Sequence, residues 1–304
     1  MLASAHTAGL FSRAILQSGP CSLLGAPGSG QAADAAVGFA AAAGCPDAAT
    51  RAGCLRAAPV AALVSAARAR PVPGPAVGDG LLPAQPSEAI AAGRWHKVPV
   101  LIGSTRAEAR FFVAGTQPYL TEREYTGRIA ALFGPAAPQV PARCPVTGRS
   151  TPFEVLSAVL TDSGFACRTL ETARVFAAQV PTYAYEFDDP DSPTLAGAQP
   201  PGLDMANAHS AELAYLHDFT MAGRPLTAAQ SAFADGLKRR WGAFARTGSP
   251  FLPGEVAWPV VRPGRYTVLT LGPGRTGPSA SFAADHQCAF WAALPSPAAV
   301  REAP

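Results

Sequence analysis

Val98-Pro99-Val100-Leu101-Ile102-Gly103-Ser104-Thr105-Arg106-Ala107-Glu108-Ala109-Arg110 is the stretch on which the fold turns. Residues 98–103 form an unbroken apolar run. A strand with one solvated face alternates, so an unbroken run reads as a strand buried on both faces, as in a parallel sheet. Residues 104–110 then read as a polar loop at that strand's C-terminal end. Working outward, residues 14–17, 182–187 and 266–271 read as further strands. Between them lie helical patterns at 31–43 (closed by Gly44), 48–55 (capped by Asp47), 59–69, 86–92, 121–133, 153–160, 169–179, 227–246 and 283–294. Helix 227–246 carries Phe233, Leu237, Trp241 and Phe244 at helical spacing. Pro71-Val72-Pro73-Gly74-Pro75 cannot be helical. Strands separated by helices predict an α/β fold with a mainly parallel sheet.

In such sheets functional groups sit on loops beyond the strand C-terminal ends. Two loops qualify, 104–110 and 188–209. The first holds Glu108. The second, with four prolines and four aspartates between 188 and 207, ends at His209, where a helix is expected to begin with Ser210-Ala211-Glu212-Leu213. A carboxylate and an imidazole on strand-end loops suit acyl transfer, the carboxylate fixing the ring tautomer and stabilising the imidazolium. The order acid then histidine is that of α/β-hydrolases. His209, Glu212 and His217 are metal-ligand types but lack a full ligand set, so neither metal nor cofactor is expected. Phe111 and Phe112, beside the acid loop, read as core or lid packing, with the lining of an apolar gorge as the alternative.

Composition narrows the classes further. The 304 residues are 48% hydrophobic and 15% charged, with a formal net charge of +3, which argues against disorder and against a nucleic-acid partner. No run approaches the length of a membrane span, and residues 1–6 do not read as a signal peptide. Six cysteines without a Cys-x-x-Cys pair make a zinc site a poor reading and allow 15 full pairings, which spacing alone leaves open.

Six segments in order resemble the type-B carboxylesterases, the family that includes cholinesterases and many bacterial esterases. They are Gly9-Leu10-Phe11-Ser12-Arg13-Ala14-Ile15-Leu16-Gln17-Ser18-Gly19, Val77-Gly78-Asp79-Gly80-Leu81-Leu82-Pro83, residues 99–108, Ala208-His209-Ser210-Ala211-Glu212-Leu213, residues 241–250, and Trp258-Pro259. The resemblance implies an α/β-hydrolase fold, here incomplete, with residues 1–304 as the C-terminal portion of the domain. It implies Glu108 as triad acid, His209 as general base, and a small carboxylic ester as substrate. It also pairs Cys45 with Cys54 and Cys167 with Cys288, leaving Cys21 and Cys144 single. Such bonds would point to an oxidising compartment and a secreted parent protein. Two positions depart from the family pattern, Ala109 and Ser210 standing where glycines usually follow the acid and the histidine. The family's Gly-x-Ser-x-Gly nucleophile elbow occurs nowhere in the sequence. The expectation is therefore that the serine and the oxyanion hole lie upstream of Met1 and that this chain alone is inactive. The alternative is a non-catalytic remnant or interaction module of the same fold.

Overall fold

The structure, a computed structural model, describes residues 1–20, 26–70, 75–78, 80–148, 150–195, 200–218, 220–221 and 223–294. Cys21, Asp79 and most of the proline-rich segment at 71–75 lie outside the described residues. The chain divides into two compact units, Met1–Leu10 with Gly25–His96, and Phe11–Leu24 with Lys97–Pro304.

The first unit is helical: α1 Ser29–Ala42, α2 Arg51–Ala57, α3 Val60–Ala69 and α4 Pro86–Ala91. The Cys45–Cys54 disulfide, with Cα atoms 5.7 Å apart, joins the end of α1 to α2. The helix expected at 48–55 starts three residues later. Asp47 accepts from the amide of Ala49 instead of capping it, which makes residues 47–50 a turn.

The second unit contains the sheet, in the order β1 Ala14–Gln17, β2 Val100–Thr105, β3 Thr182–Phe187, β4 Val268–Leu271 and β5 Gly277–Ser279. The first four strands are parallel, and β5 turns back antiparallel on β4. Every residue of β2 and β3 is buried, as the apolar run of β2 predicts; residues 182–187 of β3 alternate, yet their polar face, with Thr182 and Glu186, is covered as well. On one face Leu101, Tyr183, Tyr185, Phe187, Leu269 and Leu271 pack against Leu237 and Phe244 of α11, Ala228–Thr247. This is the mixed, mostly parallel sheet with flanking helices of an α/β-hydrolase fold.

A second apolar cluster gathers Val113 of α5 (Ala109–Thr116), Ile129 and Phe133 of α6 (Glu122–Phe133), Val140 of α7 (Gln139–Arg143), Phe153 and Leu156 of α8 (Pro152–Leu160), and Trp291. The N-termini of α6, α8 and α11 each carry a capping box, from Thr121–Glu124, Thr151–Glu154 and Thr227–Gln230. After Leu160 the chain does not stop. It widens into a π-helix, Thr161–Ala166, and continues as α9, Cys167–Ala177. The loop expected at 104–110 is shorter than its polarity suggests. Ser104 and Thr105 finish β2, and α5 begins at Ala109. The last expected helix splits into α12 Phe282–Asp285 and α13 Cys288–Ala293, because Gln287 adopts φ 52°. The Cys167–Cys288 disulfide, Cα atoms 5.2 Å apart, ties α9 to α13. Cys144 is a half-buried free thiol.

Candidate active site

Glu108 is presented by the three-residue turn between β2 and α5. The turn and the residue after it are held by neighbouring segments: Arg106 N–H donates to the Phe187 carbonyl (3.0 Å), Ala107 N–H to the Asn207 carbonyl (3.0 Å), and Ala109 N–H, the first of α5, to Thr161 Oγ1 (3.0 Å). The Glu108 side chain folds back over the strand end and is fully buried. Its Oε1 accepts from the Thr105 amide at 2.7 Å and from the Ser18 hydroxyl at 2.5 Å. Ser18 follows β1 with φ 52°, and its own amide donates to the Gly103 carbonyl. The β1–β2 register thus sets the serine beneath the carboxylate.

Glu108 Oε2 faces Nδ1 of His209 at 2.6 Å. The loop carrying the histidine is pinned by apolar packing of Leu203, Met205 and Ala208 into the second cluster and by polar side chains. Asn207, at φ 58°, donates to Asp188 and accepts from the amide of Asp189, while Asp189 accepts from the Tyr215 hydroxyl and from Gln230 of α11. Arg110 reaches Asp204 and the Ala206 carbonyl. The helix expected from Ser210 does not begin there. Ser210 takes φ 71°, and only Leu213–Leu216, α10, is helical. The imidazole is about a quarter exposed and sits among Phe112, Phe165 and Phe111, at ring separations of 5.0, 6.0 and 6.1 Å. Its Nε2 has no hydrogen-bond partner among the described residues.

Glu212 lies buried one layer deeper. Its Oε1 accepts from Gln17 Nε2 at 3.2 Å, and Gln17 Oε1 accepts from the Trp241 indole. Oε2 and the hydroxyl of the fully buried Tyr185 have no partner among the described residues. Burial first, and then the charge of Glu108, push Glu212 up to about 7. Burial opposes charge on His209, but the hydrogen bond and charge of Glu108, with the charge of Glu212, outweigh it, and the ring is raised above its ordinary value. Nδ1 is then the donor to the carboxylate, and the Nε2 lone pair is what the neutral ring offers outward.

The structure thus brings together the two residues singled out in the sequence. Three more surround them. Ser18 and Glu212 lie inside the segments that carried the family resemblance, but neither has a pattern of its own that marks it. Phe165 belongs to a π-turn with no periodicity to read. Phe111 and Phe112 border the imidazole. His217 is turned away, on an open cavity of about 410 Å³ with Asp218, Arg224 and Lys238. Among the described residues no group of three or more His, Cys, Asp or Glu side chains could hold a metal ion, and no helix is long and apolar enough to cross a membrane.

Comparison with known proteins extends the geometry. The model of the carboxylesterase family matches residues 1–129 and 148–291. Acylcarnitine hydrolase of Rattus norvegicus is 27% identical over 202 residues, which are 62% of this chain and 36% of that protein.

Proposed function

The chain belongs to the carboxylesterase family, and on that premise we propose that Glu108 and His209 are the acid and base of a serine ester hydrolase. The observation that carries the reading is the 2.6 Å contact between buried Glu108 Oε2 and His209 Nδ1, with Nε2 of the partly exposed ring unbonded among the described residues. Neutral His209 accepts the proton of an attacking hydroxyl at Nε2 and returns it to the leaving alcohol. Buried Glu108 stabilises the imidazolium in between, and its hydrogen bond holds the ring in the tautomer the reaction needs. Because Glu108 and Glu212 raise the ring's pKa, the base is in its active form only towards the alkaline side of an ordinary histidine. The three phenylalanine rings shield the imidazole from water and offer an apolar wall to an acyl or alcohol group.

The sequence contains no Gly-x-Ser-x-Gly. In this reading the nucleophile and oxyanion donors come from outside these 304 residues, and the chain alone does not turn over. The substrate is a small carboxylic ester; the rat relative, by its name, hydrolyses acylcarnitine, an ester of that class. The test is p-nitrophenyl butyrate hydrolysis. The 304-residue chain should show none, whereas a polypeptide extended upstream through a Gly-x-Ser-x-Gly segment should hydrolyse it and lose on the order of 10⁶-fold in kcat with His209→Ala. Turnover by the extended polypeptide that is indifferent to His209→Ala would sink the assignment. An upstream sequence interrupted by a stop would favour the remnant.

A further inference from the structure

We propose that a buried charge cluster of Asp162, His286, Glu186 and Arg106 positions the Glu108 turn, gripping it from both sides. The inference rests on the reading of Glu108 and His209 as an acid–base pair. It concerns residues on the sheet face opposite Tyr185, where the even-numbered side chains of β3 point. There Glu186 is only 3% exposed and has both oxygens engaged: Oε1 faces His286 Nε2 at 2.6 Å and Oε2 faces Arg106 Nη1 at 2.8 Å. The other nitrogen of His286, Nδ1, faces Asp162 Oδ1 at 2.6 Å. The ring is 6% exposed and lies against Phe282.

A neutral imidazole has one N–H. Two carboxylates at 2.6 Å, one on each nitrogen, are best met by two donors, so the imidazolium is the form in which both contacts are charge-assisted. A proton on Asp162, which burial pushes upward, would weaken one of them. Burial opposes the ring's charge, yet the hydrogen bonds and charges of Asp162 and Glu186 lift His286 to about 9. The cluster is then balanced, two anions against His286 and Arg106. The other charges bearing on it are Asp188 and Asp285, both attractive to Arg106, and Arg275, which is held by Asp188. The nearby Cys144 thiol is pushed upward by burial and stays neutral.

Two arms run from this cluster to the acid. One is Arg106, two residues before Glu108, whose guanidinium is tied to Glu186 and whose amide is tied to β3. The other is the π-helix. Asp162 anchors it on the cluster side. Its neighbour Thr161 accepts from the amide of Ala109, the residue after Glu108. Phe165 of the same turn stacks on Phe112 and borders the His209 ring. Glu108 is therefore bracketed at positions 106 and 109 by elements that both bond to His286. The Cys167–Cys288 disulfide closes the same corner, linking the residue after the π-helix to α13, two residues beyond His286.

The experiment reads His209 by NMR in the folded 304-residue chain, assigning its ring by the resonance lost in His209→Gln. Wild type should show a low-field Nδ1 proton and a titration midpoint above the ordinary histidine value. In His286→Gln and Arg106→Gln the midpoint should fall, by about one unit and about half a unit respectively, and the Nδ1 proton should weaken. The direction discriminates. Each substitution removes a positive charge, which acting through space would raise the His209 midpoint; only loss of the grip on Glu108 lowers it. Arg275→Gln, which removes a charge without touching either arm, should leave the Nδ1 proton unchanged. Arg106 is partly exposed, so its variant decides the matter even where His286→Gln fails to fold. A midpoint that rises or stays put in folded Arg106→Gln overturns the positioning role. A wild-type chain without the low-field proton overturns the acid–base reading along with it.

Discussion

Glu108 is fully buried and yet accepts three hydrogen bonds, from Thr105, Ser18 and His209, so its charge is met on every side from which the fold can reach it. Its effect on its neighbours has a definite sign. For His209 the largest influence is burial, which acts downward, and only Glu108 and Glu212 act upward. Glu108→Gln removes the charge and leaves burial the stronger. The His209 midpoint should drop below its ordinary 6.5, and Glu212 should fall from about 7 because its second-largest upward influence has gone. Ring-proton NMR titration checks the first and carboxyl ¹³C titration the second. A His209 midpoint at or above 6.5 would mean that Glu108 does not govern the ring. Of these residues, Glu108 and His209 are legible in sequence because each closes a strand or loop in a familiar segment. Ser18 is not, because a serine after a four-residue strand has no pattern that foretells a left-handed backbone and a hydroxyl aimed across the sheet.

Gly103 shows how an element constrains the site. It pairs with Tyr185 across the β2–β3 ladder, and a Cβ there would lie 2.2 Å from the tyrosine ring. That ring is fully buried beneath Trp241 and Trp258, so it has nowhere to retreat. Gly103→Ala should destabilise the chain by about 1–3 kcal/mol or more. Combined with Tyr185→Leu it should cost less than the sum of the two single changes. Additive losses in urea unfolding would show that the close approach is not the cause. The strands themselves are readable because β2 opens on an apolar run and β3 alternates aromatic β-formers. Their ends are less so. Ser104 and Thr105 look like loop residues but complete β2 as buried hydroxyls. The π-turn Thr161–Ala166 has no period to detect, although α8 and α9 on either side of it do. Gln287 splits the last helix without any glycine or proline to announce the break. The element that carries Thr161, Asp162 and Phe165 is thus the one the sequence least reveals.

For the molecule as a whole, two buried groups set the pH dependence of stability in the same direction. His286 titrates at about 9 in the fold against 6.5 for an ordinary histidine, so the folded chain keeps a proton that the unfolded chain releases. Its contribution is complete below pH ~6.5, declines through the interval above it, and is gone beyond ~9, a loss on the order of 3 kcal/mol. Glu212, at about 7 against 4.5, also holds its proton more tightly when folded. Its contribution is complete below ~4.5 and lost by ~7, again on the order of 3 kcal/mol. The two windows adjoin, so these groups together make the fold progressively weaker from mildly acid to alkaline solution, opposite to the effect of carboxylates held in ion pairs. Trp241, Trp258 and Trp291 all belong to the unit that contains both groups, so their fluorescence follows its unfolding in urea. The midpoint should be lower at pH 9.5 than at pH 6.5. His286→Gln should flatten that part of the profile and leave the slope between pH 5 and 6.5 intact, while Glu212→Gln should do the reverse. A wild-type midpoint that stays level between pH 6.5 and 9.5 would show that His286 is not held as an imidazolium. The balance of charge proposed for the cluster behind Glu108 would then fail with it.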